Sequence, residues 1–366
     1  MVQPVTSYRG LDIYGYSREP ESALQLPYGR FRNIYLYITD ECQLRCAHCY
    51  MGVRLDAARV MPFELVCRNL QLWRRMGGSK LSILGGEPTL HPRFLDVLNA
   101  ARAIGFEKLI LNTNALASAR RRLSRVGPRD LSYIQVSLDG GSPRTHDSLR
   151  GKGTFKQTWA TTVELCERGF DTRIICTVNK RNIVDCLDLL SMADEIGVSL
   201  VKFHVFSGIG NGATNADMLI SPRDWIAFYK DLETRRHHHR VQIWYQPTYA
   251  YRREIGRYAA EGYRGCIGRT LDRISVFPDG RAYVCSYLFD TNLNYAFVDE
   301  NQIRLNKGDN EFDLFTGALE REGCGTCKEA GICGGGCPAE AIALGGASCA
   351  ADAEIVPVCR LWKSDI

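Results

Sequence analysis

The stretch NIYLYITDECQLRCAHCY, residues 33–50, decides how the rest of the chain is read. Its opening, NIYLYI (33–38), mixes aliphatic and aromatic residues in the manner of a buried strand. Cys42, Cys46 and Cys49 come directly after it as C-x3-C-x2-C. Three thiolates on one loop can hold three corners of a [4Fe–4S] cluster, leaving the fourth iron without a protein ligand. An open metal position is what a catalytic site keeps and a structural site closes. The competing reading is a zinc loop completed by His48 or a distant residue, although structural zinc usually takes paired C-x2-C arms.

Outward from this segment, short strand-like runs alternate with amphipathic ones. Strands are expected at 80–84 (KLSIL), 107–112 (EKLILN), 132–138 (SYIQVSL), 172–178 (TRIICTV) and 199–206 (SLVKFHVF). Between them 62–76, 93–104, 116–125, 155–168 and 182–196 carry apolar residues at helical spacing. Strand–helix alternation implies a parallel sheet, as a partial barrel or a doubly wound sheet, with functional loops at the C-terminal strand ends. The expected organisation is an N-terminal extension (1–30), an α/β unit (31–240), a bridging segment rich in aromatics (241–265) and a cysteine-rich tail (266–366). In the tail, ISVFPDGRAYVCSY (274–287) reads as a hairpin turned by Pro278, Asp279 and Gly280.

Composition sets the outer limits. The chain has 366 residues, 45% apolar and 24% charged, with ample material for a large core. No run approaches the roughly 18 apolar residues of a membrane helix, and the N-terminus lacks a secretory signal. A soluble, cytoplasmic protein is expected. A net charge of +5 argues for neither nucleic acid nor membrane. The Arg235–Arg240 run with its three histidines reads as a solvated helix end or loop. The 15 cysteines are unevenly spread, with the last eight falling between Cys266 and Cys359, which points to metal rather than disulfides.

Together with the turn after strand two, the first cysteine loop resembles the radical S-adenosylmethionine (radical SAM) superfamily. That turn, Gly85-Gly86-Glu87-Pro88, looks like the family's GGEP motif, which serves the methionine amino group. Two glycines allow close main-chain approach and Glu87 can accept from an ammonium. The resemblance extends to Thr113 and Asn114 after strand three and to Ser137 and Asp139 after strand four, where relatives place ribose-facing groups. It extends also to Arg150, matched to an arginine that pairs with the SAM carboxylate. His48 stands where relatives carry a residue beside the adenine. Gly208, in the glycine-rich G-I-G-N-G-A stretch after strand six, is assigned to close approach of the adenosyl group. A dinucleotide site there is rejected because no helix opens. The fold implied is α/β, a partial (βα)6 TIM-like barrel with a small cysteine-rich C-terminal iron–sulfur domain.

The tail is similar to the SPASM extension, which binds two auxiliary [4Fe–4S] clusters. Carried over, Cys266, Cys285 and Cys337 with Cys349 hold the first, and Cys324, Cys327 and Cys333 with Cys359 the second. Whether Cys349 or Cys359 closes the second is left open. So is a zinc module for C-x2-C-x5-C-x3-C. Ser286 stands where sulfatase-maturing relatives have an aspartate base, which argues against that activity.

The resemblance implies three [4Fe–4S] clusters and S-adenosylmethionine, with a flavodoxin or ferredoxin as electron donor. The activity implied is reductive SAM cleavage to a 5′-deoxyadenosyl radical and hydrogen abstraction from an unactivated C–H. The net outcome expected is oxidation, by dehydrogenation or crosslinking, of a ribosomal peptide, to which a separate recognition protein could contribute. The alternatives are a sugar or aminocyclitol dehydrogenase or epimerase, and a non-catalytic zinc-binding interaction protein. No sequence feature names a catalytic side chain.

Overall fold

A computed structural model describes residues 12–15, 31–261, 272–289, 291–299, 302–306, 311, 327–329, 336–337, 339–340 and 354–358. After a short first strand, β1 (Asp12–Gly15), a run of parallel strands begins with β2 (Asn33–Tyr37). It continues through β3 (Lys80–Leu84), β4 (Lys108–Thr113), β5 (Tyr133–Ser137), β6 (Thr172–Val178) and β7 (Leu200–Val205) to β8 (Gln242–Tyr245). Each of these strands pairs with its neighbour in chain order.

The connecting helices are α1 (Phe63–Arg75), α2 (Phe94–Ile104), α3 (Ala117–Leu123), α4 (Pro143–Arg150), α5 (Thr154–Glu167), α6 (Cys186–Glu195) and α7 (Pro222–Arg235). One large apolar cluster packs Trp73 of α1 and Phe94 and Val97 of α2 with Ile34, Leu81 and Leu111 of the sheet. A second packs Trp225 and Tyr229 of α7 with Val201 and Phe203 of β7. Helices therefore cover the outer face of the strands, and the side chains that alternate with this core point into the barrel.

The six strands expected from the sequence correspond to β2–β7. A seventh parallel strand, β8, lies within the stretch read as a bridge, and α7 leads into it. Ser221 caps α7 by accepting from the Asp224 N–H (3.1 Å), and Pro222 occupies its first turn. Beyond β8 come β9 (Tyr249–Tyr251) and α8 (Ile255–Ala260).

The hairpin is present as β10 (Arg273–Val276) and β11 (Arg281–Tyr283), with Val276 opposite Ala282. It extends through β12 (Ala296–Val298) to β13 (Gln302–Leu305), which pairs with β1, while β14 (Ile355–Pro357) pairs with β9. The C-terminal hairpin also joins the barrel, because β10 runs parallel to β2, with Ile274 opposite Ile34. Arg32 fixes this seam: its guanidinium donates to both oxygens of Asp272 (2.9 and 2.6 Å), and the Asn33 N–H donates to the Asp272 carbonyl. This edge brings Cys285 to the cavity that the cysteine loop after β2 also lines.

Candidate active site

The loops at the C-terminal ends of the strands and the inward-facing strand residues enclose a cavity of about 350 Å³. Cys42, Cys46 and Cys49 all line it. Their loop is held by the main chain, with Ala47 N–H donating to the Leu149 carbonyl (2.8 Å) and Asn211 N–H to the Cys49 carbonyl (2.9 Å). The Asn211 and Asn215 side-chain amides donate to the Cys46 and Ala47 carbonyls.

Gly210, at φ +62°, lies so close that a β-carbon there would stand 2.2 Å from the Tyr50 carbonyl. The G-I-G-N-G-A stretch thus clamps the cysteine loop, with Gly210–Thr214 forming a short 3-10 turn. Gly208 is buried, and its neighbour Ser207 lines the cavity.

Burial pushes the Cys42 thiol up to about 12 and Cys46 up to about 11. Three thiolates there need a compensating cation, which iron supplies. Among the described residues no three His, Cys, Asp or Glu side chains are grouped to hold one metal ion. A cluster, in which each thiolate takes a different iron, asks for no such convergence.

The Gly85-Gly86 pair is demanded by main-chain packing. A β-carbon at Gly85 would sit 2.5 Å from the Thr39 carbonyl, and one at Gly86 2.4 Å from that of Glu41. Gly86 and Glu87 donate their N–H groups to these same carbonyls (2.8 and 2.7 Å). Glu87, fully buried, accepts from the Thr89 and Thr113 hydroxyls (2.6 and 2.9 Å) and from the Asn114 N–H (2.8 Å). It ties the end of β3 to the end of β4. Burial raises its pKa and those donors oppose the rise. Pro88 is buried in the short turn beyond it. Gly86→Ala is expected to displace the start of the cysteine loop, costing about 1–3 kcal/mol of stability and lowering iron per chain on reconstitution. Wild-type iron content with an unchanged denaturation midpoint would refute this.

Asp139 is fully buried beneath the loop. Its carboxylate accepts from Arg150 Nε (2.5 Å) and the Thr177 N–H (2.7 Å), and lies 3.2 Å from His48 Nε2. Burial would raise its pKa, but Arg150 and the neighbouring histidines outweigh burial and hold it at about 2. His48 is pushed down to about 4, chiefly by burial, so its imidazole is neutral at pH 7. Arg150 also points Nη1 at Cys46 Sγ (3.8 Å).

The structure brings His48, Gly85, Gly86, Glu87, Thr113, Asn114, Ser137 and Arg150 together on the cavity wall, with Pro88, Asp139 and Gly208 behind it. Three lining residues carry buried polar atoms without a hydrogen-bond partner: His48 Nδ1, Asn114 Nδ2 and Ser207 Oγ. Such atoms suit a polar ligand of the size and character of S-adenosylmethionine.

Cys285 and Cys337 line the same cavity. Glu311, buried, accepts from the N–H groups of Val284 and Cys285 and so fixes the Cys285 backbone. Cys327 lies off the cavity, where Arg252 Nη1 approaches its sulfur (3.1 Å). Cys266, Cys324, Cys333, Cys349 and Cys359 lie outside the described residues. The sequence reading missed Tyr37 and Tyr50, whose hydroxyls hydrogen-bond to one another on the cavity wall. Strand alternation along β2 was the available signal for Tyr37. Among the described residues no helix is long and apolar enough to cross a membrane.

A model of the radical SAM superfamily matches residues 36–193. The chain is 25% identical over 334 residues to a PqqA peptide cyclase of Ruegeria pomeroyi, covering 88% of this chain and 85% of that protein. It is 25% identical over 329 residues to an AdoMet-dependent heme synthase of Methanosarcina barkeri, covering 84% and 91%. The fold is similar to that of Streptococcus suis SuiB, solved bound to its precursor peptide SuiA. That comparison gives a TM-score of 0.67 at 17% identity, over 86% of this chain and 73% of that one. With the cysteine loop, the Gly-Gly-Glu-Pro turn and the parallel barrel in place, residues 36–193 are a radical SAM domain, a family that implies S-adenosylmethionine and a [4Fe–4S] cluster, and the chain resembles the SPASM-bearing branch.

Proposed function

We propose that this protein oxidatively modifies a peptide precursor, by crosslinking or dehydrogenation. The observation that carries the reading is the shared cavity, lined from one side by Cys42, Cys46 and Cys49 and from the other by Cys285 and Cys337. Residues 31–240 would then house the radical-forming site and residues 266–366 two auxiliary clusters, three in all. Bound together, S-adenosylmethionine and its cluster supply an oxidant strong enough for an unactivated C–H bond. Cys285 and Cys337 would hold an auxiliary cluster against the same chamber, a placement that suits net loss of electrons from the substrate.

The chain's own residues do the orienting. Arg150, anchored by Asp139, offers its guanidinium to a carboxylate. Asn114 and Ser137 offer polar groups, and His48 a neutral ring. Tyr37 and Tyr50 wall the chamber; burial raises both hydroxyls, Tyr37 up to about 12, so both stay neutral at pH 7. Such a wall excludes water and holds the target C–H in one pose.

The match to the peptide cyclase over most of both chains supports a peptide substrate. The match of similar extent to the heme synthase favours, as a second reading, a small molecule. Anaerobically reconstituted enzyme with S-adenosylmethionine, dithionite and short peptides encoded beside its gene separates them. A peptide substrate is expected to accelerate 5′-deoxyadenosine formation and to lose two hydrogens by mass spectrometry. If every such peptide leaves the rate unchanged while a small metabolite raises it, the second reading stands.

A further inference from the structure

The barrel interior holds a feature that the radical site does not use. One ring of inward-facing residues includes Tyr35 opposite Ser82, Asn112 opposite Gln135 and Ile175 opposite Lys202. Lys202 on β7 and Arg273 on β10 both line the cavity. Lys80 and Arg173 approach the ring of Tyr133, 5.8 and 3.8 Å from its centroid. Arg173 pairs with Asp171 (2.8 Å), and Arg273 donates its Nε–H to the Val284 carbonyl (3.0 Å), a neutral partner.

Lys202 is different. Its ammonium lies 4.1 Å from the centre of the Trp244 ring, and the charges acting on it, those of Lys80, Arg173 and Arg273, are all positive. Burial, reinforced by those cations, pushes it down to about 7. A lysine held inside a barrel among cations, with no carboxylate beside it among the described residues, costs free energy that a bound anion returns. Glu87, the carboxylate among the cavity-lining residues, already has its oxygens taken by Thr89, Thr113 and Asn114, and the buried Glu311, whose charge acts on Arg273 but not on Lys202, accepts from the Val284 and Cys285 N–H groups.

We propose that Lys202 and Arg273 form an anion subsite that receives a carboxylate of the substrate. Anchored there, the substrate is held from inside the barrel and presents a fixed carbon toward the cysteine loop. The proposal rests on the peptide reading only for the source of the carboxylate, an acidic side chain or a chain terminus. The anion itself is called for by the barrel.

The test uses holoenzyme with S-adenosylmethionine, anaerobically, and two probes followed by ligand-observed NMR: N-acetyl-glutamate N-methylamide and its glutamine counterpart. Wild-type protein is expected to bind the carboxylate about tenfold more tightly than the amide. Lys202→Met and Arg273→Gln should erase that preference, and Lys202→Arg should keep most of it. Iron per chain reports whether each variant has kept its site. Equal binding of the two probes by wild-type protein, or an undiminished preference in Lys202→Met, overturns the proposal. So does a loss of S-adenosylmethionine affinity in Lys202→Met without probe discrimination in wild type, since the subsite would then serve the cosubstrate.

A random octapeptide pool captured on the same holoenzyme forms a second arm. Enrichment of Asp or Glu at one position supports both readings. Preference for the carboxylate probe with no peptide enriched leaves the subsite standing and sinks the peptide reading.

Discussion

Replacing Cys42, Cys46 and Cys49 together by alanine is expected to remove about four irons per chain and to abolish reductive cleavage of S-adenosylmethionine. The three thiols come from one loop and line one cavity, as three corners of a single cluster would require. Besides any metal, Ala47, Asn211 and Asn215 hold the loop through main-chain and amide hydrogen bonds. The triple variant should therefore keep the wild-type circular dichroism spectrum while 5′-deoxyadenosine formation falls by at least about a thousandfold, some 4 kcal/mol in barrier. Its remaining iron measures what the C-terminal cysteines hold: about eight irons would mean two further clusters, and zinc in their place would mean a structural tail. Cleavage persisting in the triple variant would move the radical-forming cluster to another set of cysteines.

The fold was legible where local chemistry dominates. The strands read between 33 and 206 coincide with β2–β7 to within a residue or so, because each is a compact aliphatic or aromatic run flanked by a helical one. The omitted α7 carried its own signals. Ser221-Pro222 announces a helix start, and Trp225, Ile226, Phe228, Tyr229 and Leu232 repeat at helical spacing. With that helix read, QIWY at 242–245 becomes the next strand.

At the site, residue types were legible and their partners were not. The glycines of Gly85-Gly86 announce a close approach, yet it takes the fold to show that the main chain of residues 39–41 is what approaches them. Asp139 at a strand end reads as a ligand-facing carboxylate. In the structure its oxygens are engaged by Arg150, Thr177 and His48, a pairing set by how α4 packs against the cysteine loop. Lys202 drew no notice as one charge in a strand; its meaning comes from Arg173 on the neighbouring strand and from Lys80 and Arg273, on strands that only barrel curvature brings near it.

The Asp139–Arg150 pair gives the other large expected effect. Asp139→Ala removes the carboxylate from a fully buried position and strands a guanidinium that is itself largely buried. Breaking a buried pair from one side costs about 3–5 kcal/mol, because the remaining charge keeps its desolvation penalty and loses its partner. The Thr177 N–H is orphaned as well. Asp139→Asn should cost less, since an amide oxygen still accepts from Thr177 but leaves the charge unbalanced.

The double variant Asp139→Leu/Arg150→Met separates stability from function. Replacing both charges by apolar side chains of similar volume is often neutral, so its anaerobic denaturation midpoint should recover most of what Asp139→Ala loses. Its affinity for S-adenosylmethionine should not recover if Arg150 meets the cosubstrate carboxylate, because the missing group is then the one that binds. A double variant that regained both stability and affinity would make the pair a purely structural strut under Cys46. Asp139→Ala costing under about 1 kcal/mol would mean that Arg150 finds another counter-charge, and the thiolate of Cys46, 3.8 Å from Nη1, stands nearest.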